Sequence, residues 1–106
     1  MQQDRILSML GLAAKAGKIA SGEFSTERAV KSGKAFLVIV STEASGNTQK
    51  MFRNMCEFYH VPMYLYGPKE TLGRAIGKGF RASLAVVDEG FAASLIDKLN
   101  VADKTE

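Results

Sequence analysis

The apolar run AFLVIV, from Ala35 to Val40, constrains the fold of this chain more than any other segment. A strand with one solvated face alternates apolar and polar side chains, whereas a run without alternation is typical of a strand buried on both faces. A strand of that kind needs a layer of helices on each side of its sheet. The run therefore predicts a three-layer architecture built around a buried sheet.

Helical and strand-like patterns alternate along the rest of the chain. Apolar residues at helical spacing predict a first helix ending at Gly17, a second between Ser21 and Gly33, and three more further along. Other short apolar runs predict strands at Ile19-Ala20, at Met63–Tyr66 and in SLAVV, 83–87. Ser21 is expected to cap the second helix, His60 the end of the third and Asp88 the start of the last. The predicted fold class is α/β: one domain over residues 1–106, a three-layer α/β/α sandwich around a mixed sheet of about four strands.

The distribution of charge is uneven. Residues 15–81 carry eleven Lys and Arg against five acids, whereas residues 82–106 carry two against five. A basic region beside an acidic tail suggests a polyanionic partner, although charged runs also occur as plain solvated surface.

The residues needed for catalysis or for metal binding do not form a pattern. His60 is the only histidine and Cys56 the only cysteine, and the acids are spread singly along the chain. Cys56 is expected in the core, as free cysteines usually are. The sequence therefore predicts a protein that is not an enzyme and has no metal site, no cofactor and no small-molecule substrate.

The segment Gly77-Lys78-Gly79-Phe80-Arg81-Ala82 matches the letters G-x-G-x-x-A of a dinucleotide-binding fingerprint. That fingerprint must follow a strand and open a helix. Here the predicted order is the reverse, helix first and strand second, so the match fails on context. An ordinary turn and a mobile basic loop with one exposed aromatic, suited to nucleic acid, are the two alternatives that remain.

The helix that starts after Gly22 has the chemistry of an anion site. Its free N–H groups and dipole favour a negative ligand, and Gly22 would let a ligand approach closely. Ser25 and Arg28 lie one turn apart, and Arg28 can fork onto guanine. Further along, Lys31 and Lys34 can reach phosphates. A well-capped helix in solvent accounts for the same residues.

The chain begins MQQDRILSML, which has no long apolar core, and no segment reaches the length of a membrane span. We therefore expect no signal peptide, no membrane partner and a cytoplasmic location. We also expect a monomer. The single cysteine is compatible with a reducing compartment.

Three segments together resemble one protein family: SGEFSTERAVKSGKAFLVIVSTEAS, CEFYHVPMYLYGPKETLGRAIGK and SLAVVDEGFA. They are similar to the kink-turn RNA-binding ribosomal proteins of the L-seven-Ae and L-thirty-e type, above all to the bacterial YlxQ-like branch. The resemblance covers residues 5–99. It implies an α/β/α sandwich that binds sharply bent RNA with tandem sheared G·A pairs. The implied contacts are the N-terminus of the second helix and the loop before the last strand, in a ribosome-associated ribonucleoprotein.

The family's helix motif, G-x-N-E-x-x-K, is only partly kept. Counted back from Gly33, its glycine falls on Gly22, its asparagine on Phe24, its glutamate on Ser25 and its lysine on Arg28. The asparagine and glutamate that contact the G·A edges are replaced, unless Glu23 takes over through a local shift.

In the implied RNA-binding loop the matching positions are Lys78, Gly79, Phe80 and Arg81.

The alternative hypothesis is a protein-interaction module that keeps the fold but has lost RNA binding.

Overall fold

The computed structural model describes residues 4–104, so the ends of the predicted domain, 1–3 and 105–106, lie outside the described residues. Helices and strands alternate throughout. The helices are α1 (Arg5–Lys15), α2 (Glu23–Lys31), α3 (Gly46–Tyr59), α4 (Lys69–Ala75) and α5 (Glu89–Lys104). The strands are β1 (Ile19–Ser21), β2 (Leu37–Val40), β3 (Met63–Leu65) and β4 (Ser83–Val86).

The four strands form one mixed sheet in the order β1-β4-β2-β3. Strand β4 is antiparallel to both β1 and β2, while β2 and β3 are parallel. The register pairs Ser21 with Leu84 and Val40 with Ser83, so β1 ends where β4 begins. The predicted small mixed sheet of about four strands is confirmed.

Each face of the sheet has its own apolar core. Successive residues of a strand point to opposite faces of the sheet, so the side chains of β2 contribute alternately to the two cores. Leu37 and Ile39 pack with buried residues of α1, α4 and α5, whereas Val38 and Val40 pack with α2 and α3. All four β2 side chains are completely buried. The three-layer α/β/α sandwich expected from the run without alternation is therefore confirmed.

The limits of the strands differ slightly from the predicted ones. The buried run starts as a strand only at Leu37, because the N–H groups of Lys34 and Ala35 both donate to the Ala29 carbonyl and close the end of α2. Strands β3 and β4 each end one residue earlier than expected.

The helix caps follow the predictions in two cases out of three. Asp88 accepts a hydrogen bond from the Phe91 N–H at 2.9 Å, and His60 is the C-cap of α3, in the left-handed conformation. The prediction for Ser21 was wrong. The N-cap of α2 is Gly22, and the Ser21 hydroxyl is used elsewhere, as an acceptor for Arg81.

Cys56 lies on the buried side of α3 and its thiol is in the core, as expected. Burial raises its pKa from 9.0 to about 11. Since the thiolate is the reactive form, a shift of this size lowers the reactive fraction at neutral pH by about 100-fold.

We expect iodoacetamide to leave Cys56 unmodified in the native protein at pH 8 and to alkylate it readily in guanidinium. Labelling of the folded protein should increase with pH until about pH 11, where the buried thiol ionises. Mass spectrometry after timed exposure measures the reaction. Fast, complete labelling of native protein at pH 8 would show that the thiol is accessible and not held in the core.

Candidate nucleic-acid interface

The start of α2 is an open helix N-terminus. Gly22 has φ 93 and ψ 160, a backbone conformation that side-chain-bearing residues rarely adopt. Its own N–H is not free for a ligand, since it donates to the Ser83 carbonyl at 2.9 Å. No side chain of residues 4–104 caps the helix, so the N–H groups of its first turn stay available for an anion.

The side chains predicted to meet RNA at this end are exposed. They are Glu23, Phe24, Ser25 and Arg28. The Phe24 ring is 73% exposed, and the Arg28 guanidinium carbon lies 5.9 Å from its centroid. That separation is within the range of a cation–π contact. Phe24 and Arg28 therefore form a unit on the surface, an aromatic ring with a cation against its face.

The loop between α4 and β4 forms the second part of the surface. Lys78, Gly79 and Phe80 are exposed, and the Phe80 ring is 68% accessible. Arg81 is held more firmly: its Nε donates to the Ser21 hydroxyl at 3.2 Å and its Nη1 to the Phe80 carbonyl at 2.9 Å. Arg81 thus ties the loop to the end of β1, directly before Gly22.

A glycine in α4 sets the position of this loop. A Cβ atom on Gly73 would collide with the backbone carbonyl group of Gly79. The Gly73 carbonyl also accepts the Lys78 N–H at 2.8 Å. The loop can pack against α4 only because residue 73 has no side chain.

We expect Gly73→Ala to lower the free energy of unfolding by about 1–3 kcal/mol, because the methyl group must displace rigid backbone. It should also move Phe80 and lower the affinity for any ligand that binds through the loop. Gly79→Ala is the matched control: its Cβ would meet nothing within 4 Å, so its stability should match the parent's. Chemical denaturation of the three proteins measures the difference, and equal stability of both variants would contradict this account.

The loop between β2 and α3 joins the same end of the sheet, a contact that was not predicted. The Ser41 N–H donates to the Ala82 carbonyl at 2.8 Å, and the Glu43 carboxylate accepts the Lys69 N–H at 3.0 Å. A polar segment directly after a buried strand was the available signal.

The other two predicted basic residues lie further from Gly22, although Lys31 still lines the same open cleft as Phe24 and Arg28. Lys34 follows the C-terminus of α2, a helix of nine residues or roughly 14 Å, so it lies at the opposite end from Gly22. Lys31 is paired with Glu27, with Nζ 2.7 Å from Oε2. The hydrogen bond and the charge of Glu27 raise the pKa of Lys31.

Residues 4–104 show no sign of two other kinds of site. No group of three or more His, Cys, Asp or Glu side chains is placed to hold a metal ion. Among the same residues, no helix is both long enough and apolar enough to cross a membrane.

The two surface segments belong to an α/β/α sandwich whose sequence matches a known family model. Residues 4–96 match the model of the ribosomal protein L7Ae/L30e/S12e/Gadd45 family. The chain belongs to this family.

Three similar proteins place the chain more closely. The RNA-binding protein YlxQ of Bacillus subtilis is 40% identical over 92 residues, which are 87% of this chain and 92% of that protein. The large ribosomal subunit protein eL30 of Neurospora crassa is 35% identical over 95 residues, 84% of each. A solved structure of a protein with unknown function from Bacillus halodurans C has a TM-score of 0.90 and 38% identity, covering 92% of this chain and 99% of that one. The similarity to the YlxQ-like branch is thereby confirmed.

Proposed function

We propose that this chain is a single RNA-binding domain that binds structured, kink-turn-like RNA in association with the ribosome. The N-terminus of α2 and the loop between α4 and β4 are its contact surface. The observation that carries the proposal is the hydrogen-bonded juxtaposition of these two segments, each with a basic residue and an exposed aromatic ring. Membership of a ribosomal protein family and a relative named as RNA-binding support it.

Each side chain of the surface is proposed to make a different kind of contact with the RNA. Arg28 has a planar fork that can pair with guanine O6 and N7, and Lys78 on the exposed loop can neutralise a phosphate. Phe80 offers a face on which an unstacked base can stack. Arg81, already bonded to Ser21, positions the loop. We propose a cytoplasmic monomer without catalytic activity, cofactor or membrane contact.

Phe24 and Ser25 relax the preference for G·A pairs. A phenyl ring has no hydrogen-bonding atoms, and a single hydroxyl cannot reproduce the two acceptor atoms of a carboxylate. Each missing base contact should lower discrimination by about 1–3 kcal/mol. The proposed protein therefore binds kink-turn RNA with less dependence on the G·A pairs than a member with the full motif.

The experiment compares a kink-turn RNA with a variant whose G·A pairs are replaced by Watson–Crick pairs, at one fixed salt concentration. We expect the parent to prefer the intact RNA modestly and the double variant Phe24→Asn, Ser25→Glu to prefer it more strongly, because the base-edge contacts are restored. Binding isotherms for both proteins and both RNAs give the two ratios.

Two results would contradict parts of this assignment. In one, the preference for the intact RNA is the same in the double variant as in the parent but is lost in Glu23→Gln. That result would show that Glu23 contacts the bases and that the motif is displaced. Failure of the folded parent to bind either RNA would refute RNA binding here and favour the alternative, a protein-interaction module with the same fold.

Salt dependence tests the role of the loop. Lys78→Ala should make the slope of log affinity against log salt shallower by about 1, since one phosphate contact is lost. It should also lower the affinity for different RNAs by similar factors. The control is Lys98→Ala, which removes the same charge from α5, a helix that supplies none of the proposed RNA contacts. An unchanged slope for Lys78→Ala, or an equal change for both variants, would rule out a phosphate contact at Lys78.

A further inference from the structure

The exposed side of α2 carries an open cleft of about 370 Å³. Its volume lies in the range of small-molecule sites, about 300–1,000 Å³. The cleft is lined by residues that follow the helix surface from its first turn to its end: Phe24, Glu27, Arg28, Lys31 and Ser32. It therefore combines an aromatic ring, two cations and one carboxylate within a single helical stripe.

The aromatic ring is the part of the cleft that suits a nucleobase. Phe24 does not serve the core, since 73% of it is exposed, and the Arg28 guanidinium lies against it. Proteins that bind unpaired nucleotides place bases on such rings and on guanidinium planes. With two cations against one anion, the cleft is positive and suits a phosphate-bearing ligand.

The carboxylate of Glu27 is held within this cleft. Its Oε2 accepts a hydrogen bond from Lys31 Nζ at 2.7 Å, which limits how far the side chain can swing away. An ionised carboxylate has only acceptor atoms and two oxygens side by side. The ligand edge that it complements is one with two adjacent N–H donors.

Only one of the common RNA bases presents such an edge. Guanine has N1–H beside its N2 amino group, whereas adenine and cytosine each offer one donor beside one acceptor, and uracil has a single N–H between two acceptors. We propose that the α2 cleft binds an unpaired guanine, stacked on Phe24, with its N1–H and N2 amino groups donating to Glu27. This inference rests on the proposed RNA-binding function and extends it to one base.

Base-substituted RNAs test the proposal directly. The probes are kink-turn hairpins whose unpaired bulge nucleotides are all guanosine, all inosine or all adenosine. Inosine keeps N1–H but lacks the N2 amino group, so it removes one of the two donors. We expect the parent to bind the guanosine hairpin about tenfold more tightly than the inosine or adenosine hairpin.

The decisive variant is Glu27→Gln, which keeps the shape of the side chain but replaces one acceptor by a donor. The preference for guanosine should disappear and adenosine should be favoured instead, because an amide complements one donor beside one acceptor. The control is Glu70→Gln in α4. It removes the same charge and breaks the similar ion pair with Arg74 at 2.9 Å, but lies outside the cleft, so it should keep the guanosine preference.

Each outcome decides the question. Equal binding of the three hairpins by the parent, or an unchanged preference in Glu27→Gln, would overturn the guanine site while leaving RNA binding intact. Glu27 would then only stabilise the helix through Lys31. Binding of none of the hairpins by the folded parent would overturn both the guanine site and the proposed function.

Discussion

The hydrogen bond from the Gly22 N–H to the Ser83 carbonyl, 2.9 Å long, joins the start of α2 to the start of β4. These two chain segments are far apart in sequence, and the two parts of the candidate interface extend from them. Because β4 lies between β1 and β2 and is fully buried, the bond anchors the helix end to an internal strand of the sheet. The left-handed φ of Gly22 is required for α2 to leave the sheet at this point.

The loop between α4 and β4 depends on the same arrangement. Arg81 reaches back to Ser21, the residue before Gly22, and the Ser41 N–H donates to the Ala82 carbonyl. The loop is therefore tied to the ends of two strands, while Lys78, next to its start, is exposed. Recognition sites on rigid elements hold their geometry better than sites on free loops. This loop is anchored by hydrogen bonds at its base, while the Lys78 side chain stays exposed.

The fold could be predicted from the sequence because it follows from local patterns. The run from Leu37 to Val40 has no alternation, and that alone requires helices on both faces. The contacts that assemble the site could not be predicted in the same way. The bond between Arg81 and Ser21 joins residues 60 positions apart, and the close approach of Gly79 to Gly73 depends on how the loop turns back onto α4. The sequence predicts a cap at Ser21 because a serine before a helix usually has that role, but here its hydroxyl accepts a hydrogen bond from the Arg81 guanidinium.

Helical periodicity separates the residues of α2 that hold the fold from those that can meet a ligand. Thr26, Ala29 and Val30 are buried against the sheet and α3, whereas Phe24 and Arg28 are exposed on the other side. A change on the exposed side leaves the packing intact, so the departure from the family motif at Phe24 carries no cost in the core. The outer residues of α2 can therefore change without disturbing the packing of the scaffold. The chain thus keeps the family's sandwich and the basic position at Arg28, while an exposed aromatic ring stands where the motif has an asparagine.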